Sequence, residues 1–531
     1  MNTESSPETE IASNSVHAVV IRGEANELGW CELQQAPGED YYVSPPSGTP
    51  IGCLWHLSDL HVCDAESPSR LEYLDRYSDP DSPFREEFGD IGTYRPQEIL
   101  TVQVALAMIE TVNATTVAPV TGAPIDAVLI TGDLTDNAQE NELDWYQTLL
   151  EGGTIAPRSG HPDASSWVGA TDPTTWDDRY WHPDGAPTGV APDRPTGNYG
   201  YPAVPGLVAA ARREVDSPGL VLPWISVYGN HDGLLQGTVA PSPDLRELSV
   251  GSWRVTGLPK GRTPADFDIT IALSKTGPAN YPHTESSPVT EIAADAARDF
   301  VSATAFIRRT RPDAGGSEGS KNYYTTEVGD LLLITLDTVN PHGGWQGSID
   351  SDQCAWLIRQ LDRYQDRYVV IASHHPSPCL TNGYAPRNEP ARVLQTELEG
   401  ILLSRKNVIA WLAGHVHHHA SRWHQEGENG FWEITTSSLI DWPQQARILE
   451  FVRINDRRMP EIAIISTVMN HAGPATANYA DLSGHKPLAA ISRTLAANDY
   501  RLRAVSLRGL SLDSSPEVRN TVWRLRDPLA G

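Results

Sequence analysis

Short apolar runs recur along the chain, and each ends in a polar cluster. They are "IGCLWHLSD" (51–59), "DAVLITGD" (126–133), "PWISVYGN" (223–230), "DLLLITLDT" (330–338), "RYVVIASHH" (367–375) and "NVIAWLAGH" (407–415). Their length and β-branched content predict strands. Helical spacing lies around and between them and predicts helices over 96–114, 138–151, 291–309, 351–364 and 393–405. In the fourth of these Leu357, Leu361 and Tyr364 recur on one face. Strand and helix in alternation is the pattern of βαβ units, so the fold class is α/β. Three further runs, "FWEITTSS", "ARILEFVRI" and "EIAIISTV", follow at tighter spacing and predict antiparallel pairing.

Two stretches break this rhythm. Residues 152–222 are rich in Gly, Pro, Asp and Trp, and 233–322 add a second long excursion; structureless loops of that length do not suit a compact domain. They read as insertions folded over one face, with tryptophans to pack. The chain therefore divides into an N-terminal extension (1–50), a catalytic-type domain (51–470) carrying both insertions, and a C-terminal extension (471–531) packed on it.

Composition narrows the partners. Among 531 residues, 68 acidic against 40 basic side chains give a formal net charge of −28, which disfavours nucleic acid or an anionic membrane as a partner. No apolar run of about 18 residues exists to span a membrane. The N-terminal "MNTESSPETEIASNSV" carries no export signal. A cytoplasmic location follows, unless the true start lies upstream. Five cysteines form no CxxC pair, which argues against a disulfide framework or a thiolate metal site.

The strand ends carry the chemistry. The first ends in "SDLH" with Asp59 and His61, and the second in "TGDLTD" with Asp133 and Asp136. The third ends in "YGNHD" with Asn230, His231 and Asp232, the fifth in "SHHP" with His374 and His375, and the sixth in "GHVHHH" with His415 and His417. Taken singly, each has an ordinary reading as a helix cap, a turn or a buried histidine. Ligands of α/β sheets bind beyond the carboxyl ends of strands, and five strands delivering Asp, His or Asn to one rim are hard to explain by capping. Carboxylate, amide and imidazole donors without thiolate suit Mn, Fe or Zn. Seven such donors exceed one open site and fit two ions sharing a carboxylate. Such a pair activates water for in-line displacement at phosphorus.

In their order and spacing "DLH", "GDLTD", "GNHD", "HHP" and "GHVH" resemble the motif set of the calcineurin-like metallophosphoesterases, in particular actinobacterial members with long insertions between motifs. The resemblance implies a four-layer α/β/β/α sandwich of two mixed β-sheets flanked by helices. It also implies hydrolysis of a phosphodiester or phosphomonoester by in-line attack of a metal-bridging hydroxide. Carried over by position, Asp59, His61 and His417 hold one ion, Asn230, His374 and His415 hold the other, and Asp133 bridges them. His231 is the general acid, and Asp136 either pairs with it or caps a helix. His374, two residues before Pro376, is the ligand of its motif, and His375 a neighbour. The two ions are Mn, Fe or Zn, and the partner is a small phosphate ester. The competing reading is a non-catalytic scaffold of the same fold that binds a partner through its insertions.

Within "GHVHHH", an extended segment turns His415 and His417 to one side and Val416 to the core. His418 and His419 then support a ligand or lie at the surface. "DRYWH" in the first insertion offers Arg179, Tyr180, Trp181 and His182 either to substrate or to packing.

Overall fold

The computed structural model describes residues 10–11, 19–36, 47–85, 93–266, 286–310, 321–454, 459–501 and 518–530. Parts of both terminal extensions and of the second insertion, including all of "DAGGSEGS", lie outside the described residues.

The apolar runs form two mixed sheets. In the first, strand β1 (Thr49–Leu57) pairs in parallel with β2 (Ala127–Ile130), and β2 with β3 (Trp224–Ser226). On the other side of β1 run Gln445–Ile454, Glu461–Asn470 and Thr521–Arg526, each antiparallel to its neighbour. In the second sheet Leu331–Thr335, β4 (Tyr368–Ala372), β5 (Val408–Ala413) and Asn429–Thr435 are parallel. Antiparallel strands Tyr324–Val328 and Ala420–Glu426 close its two edges. "FWEITTSS" thus pairs both ways, parallel to β5 and antiparallel to an edge strand, Ala420–Glu426, whose polar "ASRWHQE" gives no apolar run.

The layers follow from which residues each face buries. Leu54, Leu129, Leu449 and Ile464 of the first sheet meet Leu333, Val370, Leu412 and Ile434 of the second in a core between the sheets. The opposite face of the first sheet, with Trp55, Leu57 and Ile130, packs on α1 (Thr101–Ala114) and α2 (Glu140–Glu151). The opposite face of the second sheet, with Ile334, Ile371 and Trp411, packs on α3 (Ser351–Arg363) and α4 (Gln395–Leu403). This is the α/β/β/α sandwich that the resemblance implies. Parallel strands sheathed by helices on one face and by a second sheet on the other are buried throughout, which is why they read as unbroken apolar runs. In α3 the predicted stripe holds, with Leu357 and Leu361 buried and Tyr364 packed against the same cluster.

One predicted helix does not form. Residues 291–309 divide into the end of a strand (Val289–Glu291), a 3-10 turn (Ala296–Arg298) and a short helix (Ala303–Thr310). Side-chain capping and tertiary pairing outweigh helix propensity here. The carboxylate of Asp295 caps the turn, and the Phe300 backbone bridges to Gln139.

The first insertion carries a small hairpin (Gly153–Ile155 with Val215–Ser217) and two short helices. Its Trp167, Tyr180 and Trp181 enter a cluster with Trp30, Tyr94, Tyr201 and Tyr500, closed by Leu488, Ile491 and Leu495 of α5 (His485–Ala497). Three of the four candidates in "DRYWH" are therefore buried: Tyr180, Trp181 and His182. His182 stacks on Trp176, with ring centroids 4.0 Å apart. Packing is the role these three play.

Candidate metal centre

β1, β2, β3, β4 and β5 run parallel within their sheets, so their carboxyl ends open on a common rim. The loops leaving that rim are stitched to one another. After β1 and β2 the chains run side by side, Asp59 N–H donating to Gly132 O (3.1 Å) and His61 N–H to Asp133 O (2.9 Å). After β3, the Asp232 carboxylate accepts from the N–H groups of Leu134, Thr135 and Gly229, which locks "GNHD" onto the loop of Asp133. After β5, His415 N–H donates to both carboxylate oxygens of Asp59 (3.1 and 3.0 Å), joining the two sheets. Gly414 makes that junction possible: a Cβ there would lie 1.8 Å from Ser58 Oγ and 2.5 Å from Asp59 Oδ2.

These stitches hold the backbone where side chains alone would not leave it. Asp59 (φ 51°), His61 (44°), Asp133 (49°), His415 (68°) and His417 (58°) all occupy the left-handed region, which costs a non-glycine residue of order 1 kcal/mol. Strain of this kind persists only where surrounding structure enforces it, and it gathers at functional sites. It also corrects the sequence reading of "GHVHHH". The segment is not extended, and Val416 is only half-buried, not in the core. His415 and His417 meet the rim because each turns through a left-handed residue.

The side chains converge as a set. Asp133 Oδ1 accepts from the His231 N–H (2.9 Å), which leaves Oδ2 facing two imidazoles, His374 Nε2 at 3.1 Å and His61 Nε2 at 3.6 Å. His417 Nε2 lies 3.3 Å from Asp59 Oδ1, and His415 Nδ1 lies 3.2 Å from His374 Nε2. Donor atoms of Asp59, His61 and His417 lie within 4.8 Å of one another, as do those of Asp59, Asp133 and His374.

In His61, His374 and His417 the other ring nitrogen is tied down. His61 Nδ1 donates to Asp136 Oδ1 (2.8 Å), His374 Nδ1 to Thr131 O (2.8 Å) and His417 Nδ1 to Asp441 Oδ2 (2.6 Å). Such bonds fix the tautomer that points Nε2 at a metal. His375 differs, although its ring adjoins those of His374 and His415. Its Nδ1 meets Thr338 Oγ1 (2.7 Å) and its Nε2 donates to Trp345 O (3.0 Å), so no lone pair is left for a cation. Of the remaining pair, His418 is exposed, while buried His419 accepts from the Arg447 guanidinium (2.7 Å) and serves the structure.

Two tests show that the residues fit divalent cations. His61 Nε2 and Asn230 Oδ1 are buried with no hydrogen-bond partner, a costly state that a metal would relieve. Asn230 is held by its other atom, Nδ2 donating to Gly237 O (2.9 Å). Charge gives the second test. Asp59, Asp133 and Asp136 are fully buried together. Burial alone would keep the His374 and His417 rings neutral, yet facing carboxylates push His374 up to about 9 and His417 to about 10. The rim demands positive charge, and protons on the histidines substitute for it.

Asp136 does more than the sequence suggested. Its carboxylate is nearer to His61 Nδ1 (2.8 Å) than to His231 Nδ1 (3.4 Å), and it is gripped by the Arg70 guanidinium. His231 Nδ1 instead donates to the main-chain oxygen of Asp136 (2.8 Å). It caps no helix, since the N-cap of α2 is Gln139. Sequence reasoning also missed Asp441, which holds His417 and is itself held by Arg95 Nε (2.9 Å). Against the cost of burial, Arg95 and His417 keep its carboxyl well below the usual range. The signal was present, because Asp441 closes "SSLID" shortly after a strand, as Asp59 does.

No family model and no curated protein matches the chain. Solved structures are similar to it at low identity. A dimetal phosphatase from Danio rerio aligns over 80% of this chain and 99% of its own, with 11% identity and a TM-score of 0.34. A purple acid phosphatase from yellow lupin aligns over 83% and 54%, with 8% identity and a TM-score of 0.29. A calcineurin-like phosphoesterase from Bacillus subtilis aligns over 86% and 99%, with 9% identity and a TM-score of 0.26. Among the described residues no helix is long and apolar enough to cross a membrane.

Proposed function

We propose that this chain is a dinuclear metal-dependent phosphoesterase, hydrolysing a phosphodiester or phosphomonoester. The observation that carries the reading is the position of Asp133, whose Oδ2 stands between His374 Nε2 (3.1 Å) and His61 Nε2 (3.6 Å). In this reading Asp59, His61 and His417, whose donor atoms lie within 4.8 Å of one another, hold one ion, and Asn230, His374 and His415 hold the other. Oxygen and nitrogen donors without thiolate favour Mn, Fe or Zn. When bound, two such ions supply a nucleophile from water at neutral pH and neutralise charge on the phosphate oxygens.

The protein's own contribution is orientation and a proton. His231 lies edge-on to His61, ring centroids 4.5 Å apart, and is slightly exposed. Its Nδ1–H is committed to the Asp136 carbonyl, so Nε2 is the nitrogen left to face a substrate. Burial opposes protonation of this ring, but Asp133 and Asp136 outweigh it and raise its affinity for a proton. A protonated imidazole beside the phosphate suits a general acid that hands a proton to the leaving oxygen. The salt-linked chain Arg70–Asp136–His61 keeps the neighbouring ligand in register.

Loading the purified chain with Mn²⁺ and assaying p-nitrophenyl phosphate and its diester tests the reading. Turnover that tracks two ions per chain supports it. Turnover unchanged by chelation and by His231→Ala overturns it.

A further inference from the structure

Beside the metal rim stands a tryptophan in an unusual setting. Trp345 is 41% exposed, yet its ring stacks on the candidate ligand His415, with centroids 5.8 Å apart and planes 23° from parallel. Its loop is fixed on three sides. Trp345 O accepts from His375 Nε2 (3.0 Å), and Asn382 Nδ2 donates to Gly343 O (2.8 Å). Gly344, at φ 88°, donates its N–H to Thr238 O (2.8 Å). Thr238 follows Gly237, whose carbonyl holds Asn230, so this loop is seamed to the segment that carries His231. The indole thus stacks on His415 from a loop whose backbone is tied to the segment that carries His231, while part of its surface stays open to solvent.

Exposing an indole costs hydrophobic free energy that burial elsewhere would recover, and the backbone bonds of its loop keep it beside His415 at that cost. A flat apolar face stacked on a candidate metal ligand matches a planar ring carried by the substrate's leaving group. Resting on the phosphoesterase reading, we propose that Trp345 is a substrate-binding platform, and that the substrate class is phosphate esters of a planar aromatic alcohol or nucleoside, in preference to esters of aliphatic alcohols or sugars.

The test compares adenosine 5′-monophosphate with ribose 5-phosphate on the metal-loaded full chain. The ratio of their kcat/KM values should favour the nucleotide, chiefly through KM. Trp345→Ala should reduce that ratio about tenfold or more, within the range set by base–aromatic stacking, and Trp345→Phe should restore most of it. A parent ratio near one, or a ratio unmoved by Trp345→Ala, overturns the platform while leaving the phosphoesterase reading intact. Ligand-observed NMR with adenosine and ribose on zinc-loaded protein needs no turnover. Saturation transfer to the adenine ring that is lost in Trp345→Ala supports the platform even if neither ester is hydrolysed, whereas transfer unchanged by the substitution overturns it.

Discussion

The metal rim and the aromatic block of the first insertion are both buried, and both gather side chains that binding sites commonly use. They are built on opposite principles. Around Trp181 large apolar rings fill space and cover one another, with Trp181 itself wholly buried and Tyr94 and Tyr180 edge-on at 5.0 Å. Around Asp133 the same depth holds carboxylates and imidazoles, a strained backbone, and two polar atoms without partners. A fold tolerates unpaired buried polar groups and left-handed side chains only where something else compensates. Burial alone therefore does not mark a site. Burial of several carboxylates and imidazoles that face one another on left-handed backbone does.

The strongest way to break this contrast is to remove the shared carboxylate. On the proposed assignment Asp133→Ala deprives both donor sets of a member, so elemental analysis should find fewer than two ions per chain, and turnover should fall below detection. His231→Ala should behave differently, retaining both ions and losing about 10²- to 10⁴-fold in kcat, the range for removal of a general acid. If both variants kept their ions and their rates, the rim would be no more chemical than the aromatic block.

The aromatic block gives the converse. Trp181→Ala removes a fully buried indole, a change that costs about 3–5 kcal/mol, read as a fall in the denaturation midpoint. Ion content per folded chain should not change. Loss of metal at full stability would mean that the insertion contributes to the site directly.

How much of this contrast was legible in the chain follows from the physics of each part. Strands sheathed on both faces must be apolar along their whole length, so the parallel strands stood out, and the polar residues that ended them stood out too. Edge strands are half-solvated, so "ASRWHQE" at 420–426 carries no comparable signal. Helix 291–309 failed because Asp295 caps a turn there, a local choice that periodicity does not register. At the rim, residue type was readable and conformation was not. The left-handed turn at His415 accompanies the bond between its N–H and Asp59, two residues far apart in sequence. For the same reason the supporting groups were missed. Arg70 acts on His61 through Asp136, and Arg95 on His417 through Asp441, each across loops distant in sequence, and only the fold introduces them.

Asp441 allows the contrast to be sharpened at the border of the rim. Its carboxylate touches His417 Nδ1 at 2.6 Å and no other candidate ligand in the described residues. Asp441→Asn keeps the shape but weakens the hydrogen bond that orients the imidazole. Outer partners of this kind contribute about 10- to 100-fold in metal affinity. Titration with a competing chelator should therefore show one of the two ions weakened by that factor and the other nearly unchanged. Equal weakening of both would place His417 in the shared position now given to Asp133.

The smallest effect is expected next door, and it isolates the principle most cleanly. His418 adjoins His417 in sequence and is of the same chemical type, yet it is exposed and its Nδ1 donates to Val416 O. Exposed and already bonded at Nδ1, His418 differs from the ligands, so His418→Ala should shift stability by no more than about 0.5 kcal/mol and leave ion content and turnover within twofold. The paired substitution His417→Ala should lose an ion. Two neighbouring imidazoles then differ by orders of magnitude in consequence while differing in the sequence by a single position. The difference resides in what each nitrogen faces: for His417 a buried carboxylate at 3.3 Å, for His418 largely water. A substantial loss of metal in His418→Ala would show that exposure does not separate ligands from bystanders on this loop, and that the histidine run acts as one chelating tract.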